Sequence, residues 1–143
     1  MKPEAPDQFT GGCECGAIRY EASARPIAMF NCHCRACQQI TGGAYVPVVL
    51  LKAEALRLTR GTLRHHFTKS ERMGRHMRGF CGDCGSRITG GESTEPRDWV
   101  GVTASSLDDP SAFHPTFDIF VSSAQPWDLL DPKIAKHAKY PPR

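Results

Sequence analysis

Seven cysteines in three tight clusters are the feature that most limits how this 143-residue chain can fold. An odd number of cysteines cannot all pair in disulfides within one chain, and cysteines separated by one or two residues can turn their sulfurs toward one ion. The clusters therefore predict metal centres rather than a disulfide framework. They are a C-x-C pair, a C-x-C-x-x-C triplet and a C-x-x-C pair, formed by Cys13 and Cys15, by Cys32, Cys34 and Cys37, and by Cys81 and Cys84.

The number of ligands that a zinc ion needs divides the seven cysteines into two predicted sites. A structural zinc ion takes four ligands in a tetrahedron, often as two pairs from distant segments of the chain. The first and last pairs supply four thiolates, and a glycine follows each of them, at Gly16 and Gly85. Since 66 residues separate Cys15 from Cys81, a zinc ion between the pairs would close most of the domain.

The middle triplet then provides three thiolates without a fourth cysteine. Three protein ligands and an open position are typical of a catalytic or ligand-binding zinc site. Two alternatives stay open from the sequence. In one, His33 or one of His65, His66 and His76 closes the triplet as a second structural zinc site. In the other, the three thiols are free and take part in redox chemistry.

The rest of the sequence predicts a mainly β domain of short antiparallel strands. Glycine and proline number 13 and 11 residues, above the average of about 12% of a chain, which favours many turns over long helices. We expect a flexible tail over residues 1–7 and a single domain over 8–143, with one short helix at 35–41 and Gly90-Gly91 in a turn. Strands are predicted at 9–13, 17–22, 27–32, 45–51, 56–59, 63–68, 75–80, 99–103 and 117–122.

The net charge and the length of the apolar stretches indicate which classes of binding partner to expect. A net charge of +3 does not indicate a nucleic-acid surface, because domains that bind phosphate backbones are usually more basic. No apolar stretch approaches the roughly 18–20 residues of a membrane span, and the first seven residues lack the apolar core of a signal peptide. We therefore expect a cytoplasmic protein that binds neither membranes nor nucleic acids, and its oligomeric state is left open.

Four motifs occur in an order that resembles the glutathione-dependent formaldehyde-activating enzyme family, which includes the centromere protein V domain. They are GCECG at 12–16, CHCRACQ at 32–38, GFCGDCGS at 79–86 and FVSSA at 120–124. The resemblance implies a zinc-bound β-tent fold with two zinc ions. It places a structural zinc on Cys13, Cys15, Cys81 and Cys84. The zinc assigned to catalysis lies on Cys32, Cys34 and Cys37.

The activity that the resemblance implies is carbon–sulfur lyase chemistry, in which formaldehyde and glutathione combine to S-hydroxymethylglutathione. Three thiolates on a divalent zinc ion leave a net charge of −1, so the centre is a poor Lewis acid for activating water. A thiolate-rich zinc is better suited to take a fourth sulfur. The hypothesis is that a substrate thiol becomes this ligand and adds to an aldehyde as its thiolate.

Several residues near the triplet suit either a role at the site or an ordinary position on the surface or in the core. Arg35 can offset the negative charge or meet a substrate carboxylate, and Gln38 can hydrogen-bond a substrate, although both also suit a solvated helix surface. Trp99, Phe117 and Phe120 are expected in the core. The arginines around the last cysteine pair are interpreted as a solvated face; they are Arg72, Arg75, Arg78, Arg87 and Arg97.

The sequence therefore favours a zinc-dependent enzyme that acts on a thiol–aldehyde adduct, with a thiol such as glutathione and an aldehyde as its small-molecule partners. A zinc-binding interaction module without catalysis is the first alternative. The second is a redox switch in which disulfide formation within the triplet releases zinc.

Overall fold

Short β-strands make up most of the ordered chain, as the spacing of turn residues predicts. The computed structural model describes residues 7–69, 74–93 and 97–142, so most of the predicted N-terminal tail lies outside the described residues. One α-helix, α1 (Arg35–Thr41), ends at Gly42, which adopts a left-handed conformation with φ 72°. The strands are β1 (Phe9–Gly12), β2 (Arg19–Ala22), β3 (Ala28–Cys32), β4 (Val46–Lys52), β5 (Leu56–Arg60), β6 (Arg64–Lys69), β7 (Arg75–Phe80), β8 (Arg87–Glu92), β9 (Trp99–Thr103), β10 (Phe117–Ile119) and β11 (Ala135–Lys136).

The strands form two sheets. A three-stranded sheet has the order β1-β2-β5, and an eight-stranded sheet has the order β11-β10-β3-β4-β9-β8-β7-β6. Pairing is antiparallel except around β10, which runs parallel to both β3 and β11. In the described part of the chain, no helix is long and apolar enough to cross a bilayer.

The main core lies where the small sheet packs on one face of the large sheet. Alternate residues of β4, Val49 and Leu51, are fully buried and share a hydrophobic cluster with Ile18 and Tyr20 near the small sheet. Alternation places successive side chains of a strand on opposite faces. The Tyr20 hydroxyl lies 2.7 Å from Oγ of Ser106, so this buried aromatic has a partner for its polar end.

The opposite face of the large sheet is also apolar, but it lines a cavity of about 970 Å³. Val48 and Leu50 face this cavity from β4, and Phe30 lies opposite Val48 in the sheet register. Phe117 continues the row and stacks on Phe30 with ring centroids 5.0 Å apart. The large sheet therefore has two apolar faces. One packs in the main core, and the other lines the cavity.

The helix and most strands agree with the sequence predictions, and the differences have identifiable reasons. Gly90 and Gly91 belong to β8 and not to a turn, so that prediction is wrong. Gly90 lies under the guanidinium group of Arg87, where a Cβ would collide with Nη2. Close approach of a side chain, and not chain reversal, explains why this position lacks a Cβ.

The strand predicted at 117–122 ends early, at Ile119. Phe120 adopts a left-handed conformation, with φ 57°, that is rare for a bulky residue. Its amide donates to the carbonyl oxygen of Lys139 at 3.0 Å, and its ring contacts Tyr140 edge to face at 4.9 Å. The turn at Phe120 therefore brings the C-terminal segment against the cavity, whose lining includes Tyr140.

Two adjacent leucines test the difference between the two faces. Leu51→Ala is expected to lower the free energy of unfolding by about 2–5 kcal/mol, because it leaves a void in a closed core. Leu50→Ala is expected to cost less than about 2 kcal/mol, since its side chain already borders open space. Urea denaturation of both variants measures the difference, and equal costs would contradict the assignment of the faces.

Candidate metal centres

The first candidate metal centre joins the first and last cysteine pairs. Cys13 and Cys15 follow β1, while Cys81 and Cys84 follow β7. Their four sulfurs all lie within 4.8 Å of one another, with 3.7 Å between the sulfurs of Cys13 and Cys15 and 3.8 Å between those of Cys15 and Cys81. Two segments that are distant in sequence therefore present a closed set of four ligand atoms, as counting predicts.

Hydrogen-bond donors around this centre favour ionised sulfur. The backbone amide of Ile18 donates to Sγ of Cys13 at 3.2 Å, and the amide of Cys84 donates to Sγ of Cys81 at 3.5 Å. The Ser86 hydroxyl, 3.2 Å from Sγ of Cys84, lowers the pKa of this thiol to about 6 together with backbone amides. The neighbouring thiols contribute to raising the pKa of the fourth thiol, Cys15, to about 12. A group of four clustered sulfurs, three of them with nearby donors, fits a soft divalent cation in a structural site.

The second candidate centre is the middle triplet, at the junction of β3 and α1. Cys32 is the last residue of β3, and Cys34 caps the N-terminus of α1 by accepting a hydrogen bond from the amide of Cys37. The three sulfurs lie within 4.8 Å of one another. In the described part of the chain no histidine nitrogen joins them, so the protein supplies three ligand atoms here.

Electrostatics at the triplet show why a cation fits between these sulfurs. Hydrogen bonds from the thiols of Cys32 and Cys37 lower the pKa of Cys34 to about 2, while the same contact raises the pKa of Cys32. Neighbouring thiols share a proton because adjacent thiolates repel. A divalent cation removes this repulsion, and an all-sulfur donor set is suited to zinc.

A buried polar cluster holds the loop between these cysteines. His33 is 1% exposed, and its Nδ1 lies 2.6 Å from Asp128 and its Nε2 2.9 Å from Asp118. Only a protonated imidazole donates to both carboxylates. Hydrogen bonds from His33, Lys136 and Asn31 outweigh the effect of burial and lower the pKa of Asp118. His33 therefore joins the loop to β10 and to the C-terminal segment.

Removing one carboxylate from this cluster tests its contribution. Asp128→Ala is expected to lower the free energy of unfolding by about 3–5 kcal/mol, as for a buried ion pair that loses one partner. Asp131→Ala is the control, since Asp131 lies three positions after Asp128, is exposed, and its carboxylate accepts only a local hydrogen bond from the amide of Lys133, two positions away. Equal stability of the two variants in urea would show that the cluster does not anchor the loop.

The two substrate-side candidates from the sequence differ in their surroundings. Arg35 is exposed, lines the cavity and donates to Oε1 of Gln38 at 2.5 Å. Gln38 is 5% exposed, and its amide nitrogen donates to the carbonyl oxygens of His33 at 2.7 Å and Ser123 at 2.9 Å. Gln38 thus uses both amide hydrogens to join α1 to neighbouring segments, and it is absent from the cavity lining.

The cavity places cationic side chains beside the triplet. All three cysteines of the triplet line it. The interpretation of the arginines as a solvated face is wrong for Arg78, which is 4% exposed, and for Arg87 and Arg97, which are half-buried; all three line the cavity. It is correct for Arg75, which is exposed and lies over the ring of Phe67 at 4.2 Å, and Arg72 lies outside the described residues.

Sequence reasoning missed Arg78 and Arg87 because their strands lack clear alternation of polar and apolar residues. The residue that faces Arg78 across β7 and β8 is Gly90, which contributes no side chain to the pattern. A basic residue opposite a glycine in the middle of a sheet is the signal that could have identified this position.

Trp99, expected in the core, is 52% exposed and lines the cavity instead.

His76 is one of the histidines that the sequence offered as a fourth ligand of the triplet, and the structure does not group it with the three sulfurs. It lines the cavity from β7. Burial lowers its pKa to about 4, and the positive charges of Arg78 and Arg87 act in the same direction, while the negative Cys34 opposes them. His76 is therefore neutral at physiological pH and adds no charge to the cavity wall.

The lowered pKa of His76 predicts a loss of stability in mild acid. As the pH falls from 6.5 to 4, the unfolded chain takes up a proton at His76 that the folded chain does not, so unfolding becomes easier. At about 1.4 kcal/mol per pKa unit, the loss reaches about 3 kcal/mol at most. His76→Gln should flatten the stability–pH curve over this range, whereas His66→Gln, an exposed control on β6, should not. An unchanged slope in the His76 variant would contradict the assignment.

Comparisons with known proteins address both sequence and fold. The family model described as "Glutathione-dependent formaldehyde-activating enzyme" matches residues 8–123, which include both cysteine centres. No curated protein matches the sequence. Among solved structures, a crystal structure of a Rhodobacter sphaeroides protein is similar with a TM-score of 0.55 and 22% identity, over 70% of this chain and 88% of the other. At that identity the likeness shows a common fold alone.

Proposed function

Since the chain belongs to the glutathione-dependent formaldehyde-activating enzyme family, we propose that it is a zinc enzyme that joins a thiol, such as glutathione, to formaldehyde in the cytoplasm. The observation that carries this proposal is the three-sulfur centre that opens on a cavity of about 970 Å³. A donor set with three protein ligands leaves room for one more. The reducing cytoplasm keeps thiols available as ligands.

The two cysteine centres have different roles in the proposal. Cys13, Cys15, Cys81 and Cys84 hold a structural zinc, because four ligands from two segments saturate a tetrahedral ion. Cys32, Cys34 and Cys37 hold the zinc used in catalysis. When bound there, zinc supplies an open position that favours the thiolate form of an incoming thiol.

The reaction needs no further reactant. The sulfur of the thiol forms a bond to the carbonyl carbon of formaldehyde, the C=O π bond opens, and the proton from the thiol is transferred to the oxygen. The product is a hydroxymethyl thioether, and the reverse reaction breaks the same carbon–sulfur bond. The atoms balance without an oxidant or reductant, which suits a chain whose seven cysteines are all free of disulfides.

The residues around the triplet give the cavity an apolar wall and positive charges, and both suit this reaction. Phe30, Val48 and Ile119 give the cavity an apolar wall, and exclusion of water strengthens electrostatic interactions within it. Hydrogen bonds from neighbouring thiols are the main cause of the lowered pKa of Cys34, and the positive charge of Arg78 acts in the same direction. The contact with Cys34 and burial raise the pKa of Cys37, and the hydrogen bond with Cys32 and the positive charge of Arg87 oppose this rise. These cations favour an anionic sulfur, which is the nucleophilic form of a thiol.

Zinc content and catalysis can be tested with one variant from each centre. The native protein should contain two zinc ions per chain and accelerate exchange between glutathione and ¹³C-formaldehyde, measured by NMR against the uncatalysed rate. Cys34→Ser should keep one zinc ion and the fold but lose the acceleration. Cys84→Ser should lose stability, because the structural centre contributes to folding.

Three results would contradict the proposal. A native protein with two zinc ions and no acceleration would favour a zinc-binding module without catalysis. Full acceleration by Cys34→Ser would move the chemistry away from the triplet. A single zinc ion that both substitutions leave unchanged would remove the basis for two centres.

A further inference from the structure

We propose that the outer edge of β6 binds an acidic segment of another protein, which adds to the large sheet as one more strand. Strand addition gives affinity through main-chain hydrogen bonds and specificity through side chains at alternate positions. The inference goes beyond the proposed function and does not depend on it, since neither cysteine centre takes part.

The backbone of β6 has one unoccupied side. β6 is the last strand of the eight-stranded sheet and pairs on one side only, with β7. All six of its residues are in register with β7, without a bulge. In an antiparallel pair, every second residue directs its N–H and C=O groups to the other side. Within the described part of the chain, no backbone hydrogen bond outside the β6–β7 ladder involves residues 64–69. The edge therefore offers a continuous row of main-chain donors and acceptors.

The other sheet edges are less suited to receive a strand. β11, at the opposite end of the large sheet, has only two residues. A backbone hydrogen bond of 3.0 Å from the amide of Asp108 to the carbonyl oxygen of Thr10 covers β1. β5 forms the other edge of the small sheet, but its two arginines already have protein acceptors. Arg57 pairs with Glu21, and Arg60 donates to a backbone carbonyl oxygen.

Charge selects an acidic partner for the edge of β6. Arg64 and Lys69, at the two ends of the strand, are exposed, and so are His65 and His66 between them. Among the described residues, no carboxylate pairs with Arg64 or Lys69. Neither β6 nor β7 contains an aspartate or a glutamate. A strand beside β6 therefore meets positive charge at both of its ends, and opposite charges across neighbouring strands stabilise the pairing.

An apolar patch in the middle of the β6–β7 hairpin indicates one uncharged position in the partner. Phe67 is 39% exposed, and Met77 lies opposite it on β7. Residues directly opposite each other in paired strands have Cβ atoms about 4.5–5.5 Å apart, so a branched apolar side chain opposite Phe67 would cover part of its ring. A segment with acidic residues at its ends and an aliphatic residue near its centre therefore fits this edge.

A second copy of this chain fits the same edge poorly. Antiparallel pairing of β6 with itself, centred between His66 and Phe67, places Arg64 opposite Lys69 in both halves. Like charges directly opposite each other destabilise a strand pair, and charged residues on edge strands prevent pairing between copies. An acidic strand replaces both repulsions with attractions.

The first experiment measures binding of a probe peptide to the full, zinc-loaded chain. The probe is a fluorescein-labelled, amidated peptide of sequence Glu-Thr-Val-Glu-Val-Glu, which in antiparallel pairing places valine opposite Phe67 and glutamate opposite Arg64 and Lys69. Fluorescence anisotropy should show at least tenfold tighter binding of this peptide than of a control with lysine in place of each glutamate. Binding should also slow amide hydrogen exchange at residues 64–69, measured by NMR. Equal affinity for both peptides, or protection elsewhere in the chain alone, would overturn the inference.

Charge reversal tests the edge residues one at a time. Lys69→Glu and Arg64→Glu should each weaken binding of the glutamate peptide about fivefold or more, because repulsion replaces attraction. Lys133→Glu is the matched control, since Lys133 is exposed and precedes β11 at the opposite edge of the sheet, and it should leave the affinity unchanged. Circular dichroism checks the fold, and the second edge variant maintains the test if the first unfolds. An equal effect of all three substitutions would show that β6 is not the site.

Two N-methylated forms of the glutamate peptide test whether the partner binds as a strand. A strand presents alternate amides to each of its edges. Methyl groups on one alternate set of amides should therefore abolish binding, whereas methyl groups on the other set should leave it intact. Equal binding by the two methylated peptides would contradict strand addition.

Two further results would assign the edge to another partner and so overturn the inference. One is tighter binding of a single-stranded oligothymidylate than of the glutamate peptide. The other is protection of residues 64–69 in the protein alone that falls on dilution, which would indicate pairing between two copies.

Discussion

One buried histidine between two carboxylates holds together the part of the molecule that carries the chemistry. His33 lies in the middle of the cysteine triplet, and its two nitrogens join Asp118 of β10 and Asp128 of the C-terminal segment. Both carboxylate side chains are at most 3% exposed. Because a buried charge is tolerated only when it is paired, the loop, the parallel strand and the C-terminal segment keep their positions together. The loop that carries the three sulfurs is therefore joined through His33 to both segments.

The two faces of the large sheet have different surroundings. One face packs in the closed core, and the other lines the cavity. Alternation along β4 directs Val49 and Leu51 into a closed core and Val48 and Leu50 toward the cavity. The four-cysteine centre joins segments at the ends of β1 and β7, and none of its four cysteines lines the cavity. The triplet, at the end of β3, opens on the cavity side. Two chemically similar cysteine groups therefore occupy different environments, one suited to folding and the other to binding.

Cationic side chains line the cavity beside the triplet. The positive charge of Arg78 adds to the hydrogen bonds that lower the pKa of Cys34, and that of Arg87 opposes the rise in the pKa of Cys37. Each of these arginines retains a nitrogen without an acceptor among the described residues. Placing such groups in a buried wall costs free energy. Gly90 provides the space for the guanidinium group of Arg87, so this glycine serves the cavity and not chain reversal.

The sequence by itself determined the two cysteine groups that could hold metal ions, the mainly β class and the helix at Arg35–Thr41, because these depend on local spacing and on turn residues. It also divided seven cysteines into a group of four and a group of three. Tertiary structure decided which polar residues meet around them. The contacts of His33 with Asp118 and Asp128 span 85 and 95 residues, and the burial of Arg78 depends on a glycine in a neighbouring strand. Such contacts arise from sheet order and register, which local periodicity does not encode.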